Sequence, residues 1–467
     1  MNAAAMSASK EARFLKSALD ERGARTPTED VRAWLAARNR DVGVRVARTR
    51  LSHLRDWALD DATGRIRHAS GKFFSIDGIR VATNWGAHPE WAQPIINQPE
   101  IGFLGCLARE FDGVLHFLIQ AKVEPGNVNC VQLSPTLQAT KSNYTRVHHG
   151  KSPKHLEWFL DRARARVLLD QLQSEQGARF LHKRNRNVIV EIDEDLPPDP
   201  DFAWLTLGQI KHLMADDNLV NMDLRTVVSG IPFGQADVHR EPDSFAAAMR
   251  ASALAGPRAL MAFDDLISWF TGQKVRYELQ VTPCDLRAIA DWELTDDELR
   301  HRQGRFFRVI WVDVEISNRE VTAWQQPLVE PVGEGLLAFV VKRIHGVHHF
   351  LVQAKLECGN FDVLEFAPTV QCITGRYDKP EWNVPFLDYV LNARPDQIRY
   401  DVRQSEEGGR FYREQNRNLI VEADESFPVA CPENYQWMTL HQLLTFARFN
   451  NYLNIQARSL LSTLRFA

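Results

Sequence analysis

Two stretches of the sequence decide the fold: residues 117–138 read FLIQAKVEPGNVNCVQLSPTLQ, and residues 350–371 read FLVQAKLECGNFDVLEFAPTVQ. Eleven of these 22 positions are identical. Further along the chain, QSEQGARFLHKRNRNVIVE (173–191) and QSEEGGRFYREQNRNLIVE (404–422) share 12 of 19 positions. WLTLGQI (204–210) likewise corresponds to WMTLHQL (437–443). The same motifs in the same order, this far apart, indicate a duplicated domain.

The duplication divides the 467 residues into four parts. We predict an N-terminal extension (1–27), a first repeat (28–229), a linker with one Ala-rich helix (230–262) and a second repeat (263–467). Two copies of one fold commonly pack about a pseudo-twofold axis. The expected molecule is therefore a pseudo-symmetric monomer.

Each repeat has a mixed pattern of helices and strands. An amphipathic helix (EDVRAWLAARNR; DDLISWFTGQK) precedes several strand-like runs, and the dipeptides DG (112–113) and HG (345–346) predict hairpin turns. A helix is predicted before QSE, a strand over NVIVE or NLIVE, and a helix over the WxTLxQ segment. Strand runs followed by helices are typical of an α+β fold, here with mixed sheets flanked by helices.

Composition excludes several classes of protein. With 56 Lys+Arg against 60 Asp+Glu the net charge is -4, which disfavours a nucleic-acid-binding protein. The six cysteines form no CxxC pair, so reduced thiols are expected. No secretory signal or long apolar span is evident, and the histidines lack metal-ligand spacing. We expect a cytoplasmic protein with no membrane span and no catalytic metal.

The segment 138–154, QATKSNYTRVHHGKSPK, has the composition of a loop that binds a phosphorylated ligand. Hydroxyl and amide groups donate to phosphate oxygens, basic groups supply charge, and a tyrosine transfers protons. A solvated polar loop explains the composition equally well. The second repeat has no histidine pair here, which predicts different roles for the two loops. The candidates are Thr140, Lys141, Ser142, Asn143, Tyr144, Arg146, His148 and His149, and Thr374, Gly375, Arg376 and Lys379 in the second repeat.

The motif QSExGxRF occurs in both repeats and has two interpretations. In one, Ser174 and Ser405 contact phosphate or sugar, and Arg179 and Arg410 supply charge. In the other, glycine enforces a turn that a Glu–Arg pair holds. The NRN that follows favours a side-chain-capped turn, although Asn416 is kept as a candidate ligand residue.

Three further residues are candidates with competing structural roles. Lys122 stands two residues before Glu124 in a predicted strand, so both side chains share a face. A structural ion pair is the leading interpretation, and a pocket-lining lysine is the alternative. Trp57 and Trp292 follow acidic residues and are candidates for stacking on a nucleobase, although tryptophans at such positions are more often in the core.

Together, FFSIDGIRV, QPIINQPEIGFLG, DGVLHFLIQAKVEPGN, QLSPTLQATKSNYTRVHHGK and QSEQGxRF with NRN and VE resemble the nucleoside-diphosphate-hexose 2,3-dehydratases of deoxysugar biosynthesis. The resemblance spans nearly the whole chain. It implies two tandem Nudix-like domains that bind thymidine-diphosphate sugars, one catalytic pocket, and a homodimer. It also implies that the QATKSNYTR loop holds substrate, that CITGRYDKP lines the second pocket, and that Trp57 and Trp292 stack on the base. The glutamate box of Nudix hydrolases (RExxEExG) is absent.

The implied reaction starts from TDP-4-keto-6-deoxy-glucose. A base removes the C3 proton, which the 4-keto group acidifies, and an acid assists departure of the C2 hydroxyl. The 2,3-enol then becomes a 3,4-diketo-2,6-dideoxy sugar without any cofactor, and an NADPH-dependent 3-ketoreductase would consume it. We seek the base and acid among Tyr144, His148, His149 and Lys122. Two alternatives remain: a Mg²⁺-dependent Nudix-type sugar-nucleotide hydrolase, and a non-catalytic nucleotide-sugar-binding protein.

Overall fold

The computed structural model of the chain describes residues 9–140, 152–161, 163–234, 243–372 and 384–467. No helix in these ranges is long and apolar enough to cross a membrane. Their helices are α1 (Lys10–Ala18), α2 (Thr28–Asp41), α3 (Glu157–Leu160), α4 (Leu207–Leu213), α5 (Met222–Ser229), α6 (Phe245–Ala253), α7 (Phe263–Arg276), α8 (Leu387–Leu391), α9 (Leu440–Phe446) and α10 (Ile455–Ser462).

Strands make up most of the remaining regular structure. Those before the linker are β1 (Val44–Arg48), β2 (Trp57–Asp60), β3 (Arg65–His68), β4 (Ser75–Thr83), β5 (Glu90–Asn97), β6 (Gly102–Phe111), β7 (Val114–Val123), β8 (Val131–Ser134), β9 (Leu137–Ala139), β10 (Arg166–Ser174), β11 (Phe180–Leu181), β12 (Arg184–Glu191) and β13 (Phe202–Thr206). Those after it are β14 (Leu279–Cys284), β15 (Trp292–Leu294), β16 (Glu298–His301), β17 (Phe307–Ile316), β18 (Ala323–Pro331), β19 (Gly335–Ile344), β20 (Val347–Lys355), β21 (Glu365–Ala367), β22 (Val370–Cys372), β23 (Ile398–Ser405), β24 (Gln415–Ala423) and β25 (Tyr435–Thr439).

Each repeat builds one large mixed sheet, here called its central sheet. The first has the order β10-β12-β6-β7-β13, and the second contains β23-β24-β19-β20 with β25 on β20. In both, one pair of neighbours is parallel, β12 with β6 and β24 with β19. The predicted DG and HG hairpins join β6 to β7 and β19 to β20, and both turn residues have positive φ. The α+β fold with mixed sheets is confirmed.

The two repeats exchange their first strands. Strand β1 of the first repeat pairs antiparallel with β17 of the second, and β14 of the second pairs antiparallel with β4 of the first. Each outer sheet, β11-β5-β4-β3-β2 or β1-β17-β16-β15, is therefore completed by the other repeat. One hydrophobic cluster also joins residues of both outer sheets, including Trp57 and Trp292. Neither outer sheet is built from one repeat alone.

The structural repeat is longer than the sequence repeat. Helix α1, in the N-terminal extension, packs on β7 and α4, and helix α6, in the linker, packs on β20 and α9 in the same way. The Ser17 hydroxyl donates to Leu115 O and accepts from Leu207 N–H. Ser252 makes the corresponding pair of bonds with His348 and Leu440. The duplication therefore includes a helix before each predicted repeat.

Two predicted helices are wrong in part. The residues directly before each QSE motif form strands β10 and β23, and among the described residues the helices ahead of these strands are the short α3 and α8. The alternation of LLDQLQS fits an edge strand, and its paired partner β12 overrides the helical propensity of the preceding residues. In the WxTLxQ segment the first residues belong to β13 or β25. Its Thr206 or Thr439 then caps the helix in a capping box with Gln209 or Gln442.

Candidate active site

A cavity of about 220 Å³ lies between the first central sheet and the first outer sheet. Its aromatic wall comes from the outer sheet, its polar floor from the central sheet, and its remaining wall from the second repeat. The site therefore depends on both repeats. Its lining includes Trp57, Phe74, Gln98, Lys122, Glu124, Gln138, Thr140, Glu175, Lys183, Asn185, Asp223, Arg319, Glu407 and Arg410.

Trp57 and Phe74 form the aromatic wall. The Trp57 ring lies 4.8 Å from the Phe74 ring between centroids, and its indole N–H donates to Gln325 O at 2.9 Å. The hydrogen bond to the second repeat fixes the indole. Only 4% of Trp57 is exposed. Aromatic faces of this kind bind flat rings through stacking. A narrow exposed part of an otherwise buried tryptophan is thus available to a ligand.

The QAKxE motif brings a charged pair to the cavity floor. Lys122 Nζ lies 3.2 Å from Glu124 Oε1 and donates to Gln138 O, also at 3.2 Å. Arg319 of the second repeat donates to the same Glu124 oxygen at 2.8 Å. Arg319 and Lys122 hold the pKa of Glu124 down to about 2, although burial opposes this shift. Glu124 is therefore a permanent anion that orients two cations.

Arg410 reaches the cavity from the second QSExGxRF motif. Its guanidinium lies 4.1 Å from the centre of the Phe74 ring, and its Nε donates to Gln98 Oε1 at 3.1 Å. Arg179 of the first motif stands at the same distance, 4.1 Å, over Phe307 of the second outer sheet. The arginine of each QSExGxRF motif therefore packs against a phenylalanine ring of the opposite repeat. A planar cation held against a ring is well suited to a phosphate group.

Beside these residues lies a group of buried ionisable side chains. Burial lowers the pKa of Lys183 to about 8, although Glu175 opposes the shift. Burial raises the pKa of Glu175, whose carboxylate accepts from Asn185 Nδ2 at 2.5 Å. Asp223 and Glu407 complete the group. Perturbed titratable groups gathered in a cavity are typical of a site for proton transfer.

The comparisons agree on a family. A family model described as NDP-hexose 2,3-dehydratase matches residues 28–231 and again residues 263–464. The chain belongs to the NDP-hexose 2,3-dehydratase family. The resemblance seen in the sequence motifs is thereby confirmed.

Curated relatives cover almost the whole chain. A dTDP-4-dehydro-6-deoxy-alpha-D-glucopyranose 2,3-dehydratase of Saccharopolyspora spinosa is 46% identical over 99% of this chain and 96% of the relative. An enzyme of the same name from Streptomyces violaceoruber is 47% identical over 94% of this chain and 97% of the relative. A third, from Amycolatopsis orientalis, is 45% identical over 97% of this chain and 94% of the relative.

In this family member, some predicted site residues do meet at the cavity. Trp57, Lys122 and Thr140 line it, and Lys122 forms the predicted ion pair as well. Eleven other candidates lie outside the described residues. They are Lys141, Ser142, Asn143, Tyr144, Arg146, His148, His149, Thr374, Gly375, Arg376 and Lys379.

Ser174 and Ser405 do not line the cavity; they join the repeats. The buried guanidinium of Arg458 donates to the carbonyl of Ser174, and that of Arg225 donates to the carbonyl of Ser405. The Ser174 hydroxyl donates to Glu365 Oε2 at 2.8 Å. Because both serines are buried in this network, we leave them out of the proposed substrate contacts.

Trp292, Arg179 and Asn416 occupy positions that correspond by the duplication to Trp57, Arg410 and Asn185. The Trp292 indole N–H donates to Ala92 O at 3.1 Å, as Trp57 does to the second repeat. Asn416 donates to Glu406 Oε1 at 2.5 Å, as Asn185 does to Glu175. These residues repeat the framework of the first site.

Sequence reasoning missed Lys183, Asp223 and Glu407. Lys183 and Asp223 stand at positions where the two repeats differ, and Glu407 is the first variable position of the second QSExGxRF motif, so it comes from the opposite repeat. An alignment of the two repeats nevertheless distinguishes these three positions. At the aligned positions the other repeat has Glu414, Gln456 and Gln176, so these pocket residues differ in charge between the copies.

Proposed function

We propose that the cavity of the first repeat is the active site of a dTDP-4-dehydro-6-deoxy-glucose 2,3-dehydratase. The activity follows from family membership and from relatives of that name covering nearly the whole chain. The observation that supports this location is the combination of one aromatic wall, four cations and several buried carboxyls in one cavity. The substrate offers a flat base, a diphosphate and an acidic C–H bond, which match these three features.

The binding roles follow from the geometry. Trp57 and Phe74 would contact the thymine ring, and Arg410 and Lys183 would contact the diphosphate. Lys122, held by Glu124 and Gln138 O, would donate to the 4-keto oxygen as negative charge develops there. Thr140 lines the cavity, and the candidates that follow it in the sequence are Lys141, Ser142, Asn143, Tyr144, Arg146, His148 and His149. We retain them as proposed substrate or proton-transfer residues.

The second repeat would hold a second nucleotide-sugar pocket. Trp292, Arg179 over Phe307, Asn416, Thr374, Gly375, Arg376 and Lys379 are its proposed residues. Calorimetry with dTDP should then show two sites per chain. Trp292→Ala should remove one of them and leave turnover at the first pocket intact, and a single site in the unaltered protein would contradict this proposal.

Two partners are proposed. The 3,4-diketo product is reactive, so an NADPH-dependent 3-ketoreductase would consume it, and the chain would assemble as a homodimer. Light scattering of the purified protein tests the assembly. A monomer at micromolar concentration would contradict it.

The activity is tested by incubating the protein with dTDP-4-keto-6-deoxy-glucose and excess EDTA, with and without a 3-ketoreductase and NADPH. Mass spectrometry should show a sugar nucleotide that has lost one water and gains two hydrogens with the reductase. Unchanged substrate in both tubes would favour a binding protein. Release of TMP only when Mg²⁺ replaces EDTA would favour a hydrolase.

In the same assay, Tyr144→Phe and His149→Ala test the loop. Loss of turnover with retained binding in calorimetry is expected for a residue that acts on the bound sugar. Full turnover in both variants would remove this loop from the catalytic machinery.

A further inference from the structure

The duplication supplies an internal comparison for the active cavity. Several of its polar residues recur at the aligned position of the other copy, which marks them as framework. These pairs are Lys122 and Lys355, Glu124 and Glu357, Glu175 and Glu406, Asn185 and Asn416, and Arg410 and Arg179. Groups that both copies retain are those needed for folding or for binding what both copies bind. Groups needed only for the reaction should differ.

Two carboxyls of the cavity have amide counterparts. Asp223 stands in the first turn of α5, and the aligned residue in α10 is Gln456; Glu407 of the second QSExGxRF motif aligns with Gln176 of the first. A side-chain amide has nearly the shape of a carboxyl but carries no transferable proton at neutral pH. Gln456 and Gln176 are buried, and among the described residues no hydrogen-bond partner meets either amide. At these two positions the second copy thus keeps the size and shape of the side chain but has no transferable proton.

We propose that Glu407 removes the C3 proton of the substrate and that Asp223 protonates the departing C2 hydroxyl. This assignment rests on the proposed function of the cavity and names the base and acid within it. Both carboxyls line the cavity, Asp223 from the first repeat and Glu407 from the second. The active centre is therefore shared between the repeats.

The surroundings of Asp223 favour its protonated form. Asp223 is only 2% exposed, and its helix is capped by Asn221, whose Nδ2 donates to Gln138 Oε1 on the cavity floor at 3.4 Å. Burial, and then the charges of Glu407 and Glu175, raise the pKa of Asp223 well above its usual range, whereas Lys122 lowers it. A carboxyl that keeps its proton at neutral pH is suited to the role of acid.

Two groups beside Glu407 stabilise its ionised form. The Gly409 N–H donates to Glu407 Oε1 at 3.0 Å, and Arg410 lies next to it in the same turn. Burial raises the pKa of Glu407 to about 7. Arg410 and the Gly409 N–H stabilise the carboxylate and lower the pKa, whereas the charges of Glu124 and Glu175 raise it. A base works best when its pKa lies near the working pH.

The step balances without a cofactor. Glu407 takes the C3 proton, and the C3–H electron pair forms the enolate with C4. The enolate then collapses to a C2–C3 double bond, and the C2–O bond breaks as Asp223 gives its proton to the leaving hydroxyl. Water and an enol result, and the enol becomes the 3,4-diketone. Glu407 ends protonated and Asp223 ionised, and proton transfer through the carboxyl cluster and solvent restores both.

Hydrogen exchange separates the two roles. In D₂O, Asp223→Asn should still place deuterium at C3 of recovered substrate, because its base is intact, while dehydration falls by about 10²–10⁴-fold. Glu407→Gln should lose both exchange and dehydration to a similar extent. Each variant should bind dTDP in calorimetry as the unaltered protein does, which verifies folding.

The matched control is Glu414→Gln, which neutralises a buried carboxyl of the second repeat whose pKa burial also raises to about 7. It should keep full turnover. Retained C3 exchange in Glu407→Gln, or full dehydration in Asp223→Asn, would overturn the assignment, as would equal loss in the control. Absence of dehydration in the unaltered protein would instead refute the proposed function itself.

Discussion

We expect the ionisation of Lys183 to set an upper pH limit on the proposed site. Burial lowers its pKa to about 8, and its ammonium donates to the carbonyl oxygen of Glu100. The charged form is present below that pH and is lost as the pH rises through it. We therefore expect the proposed site to bind a diphosphate less well in alkaline solution.

This gives a prediction for the pH profile of kcat/KM. The value should rise through about pH 7 as Glu407 ionises and fall above about pH 8 as Lys183 loses its proton. Because a guanidinium stays charged in this range, Lys183→Arg should move the falling limb to higher pH. A coupled assay between pH 6 and pH 10 measures both limbs; an unmoved upper limb in Lys183→Arg would exclude Lys183 as its source.

Gly126 is a residue at which the two repeats come into close backbone contact. Its N–H donates to Gly408 O at 2.7 Å, and a Cβ at this position would lie 1.6 Å from Phe411 O. The mirror contact joins Gly359 N–H to Gly177 O, also at 2.7 Å. The glycines of QAKxExGN and QSExGxRF are therefore retained because two chain segments meet there.

Gly126→Ala should lower the free energy of unfolding by about 3 kcal/mol or more, since backbone must move to admit the methyl group. Gly272→Ala is the matched control, because a Cβ at Gly272 meets nothing within 4 Å and this exposed position lies inside α7. It should stabilise by about 0.5–1 kcal/mol. Urea denaturation of both variants measures the difference, and similar midpoints would contradict the close contact.

At the scale of elements, α5 and α10 join the repeats through two buried arginines. Arg225 of α5 donates to Ser459 Oγ at 2.9 Å and to Gln404 Oε1 at 2.7 Å, both in the second repeat. Arg458 of α10 donates in return to Thr226 Oγ1 at 3.2 Å. Both guanidinium groups are fully buried, so each bond forms without competition from water.

Arg225→Met should therefore reduce the free energy of unfolding by about 3 kcal/mol, because it leaves several buried acceptors without donors. Arg45→Met is the control, since the Arg45 side chain is 69% exposed and its pair with Glu315 should contribute under about 1 kcal/mol. Thermal and urea unfolding compare the two. Equal effects would show that the buried arginine adds nothing to the junction.

Much of the element pattern could be predicted from the sequence, because hairpin turns and alternating strands depend on local residues. Asp112-Gly113 and His345-Gly346 are examples. The strand before QSE could not, because its pairing with β12 depends on residues outside its own segment. The same limit applies to the site. Lys122 and Trp57 stand in conspicuous motifs, whereas Glu407 enters the cavity only because the opposite repeat folds across it.

We expect the whole molecule to fold as one unit. Strands β1 and β14 are exchanged between the repeats, and Arg319 and Arg410 complete the cavity of the first repeat from the second. Fragments 1–238 and 239–467, expressed separately, should each lack a cooperative unfolding transition and dehydratase activity. Co-expressed, they should associate and recover turnover, as followed by size-exclusion chromatography and mass spectrometry. Activity in the first fragment alone would contradict a shared site.

The exchanged strands also set the order of events on the ribosome. Strand β4 is complete at Thr83, but its partner β14 is translated only from Leu279 onward, about 200 residues later. At ordinary elongation rates this leaves an open strand edge on the nascent chain for on the order of 10–40 seconds. An unpaired edge is a template for a neighbouring chain. The spacing of ribosomes on the message thus becomes a determinant of yield, because crowded nascent chains would pair with one another before their own second halves emerge.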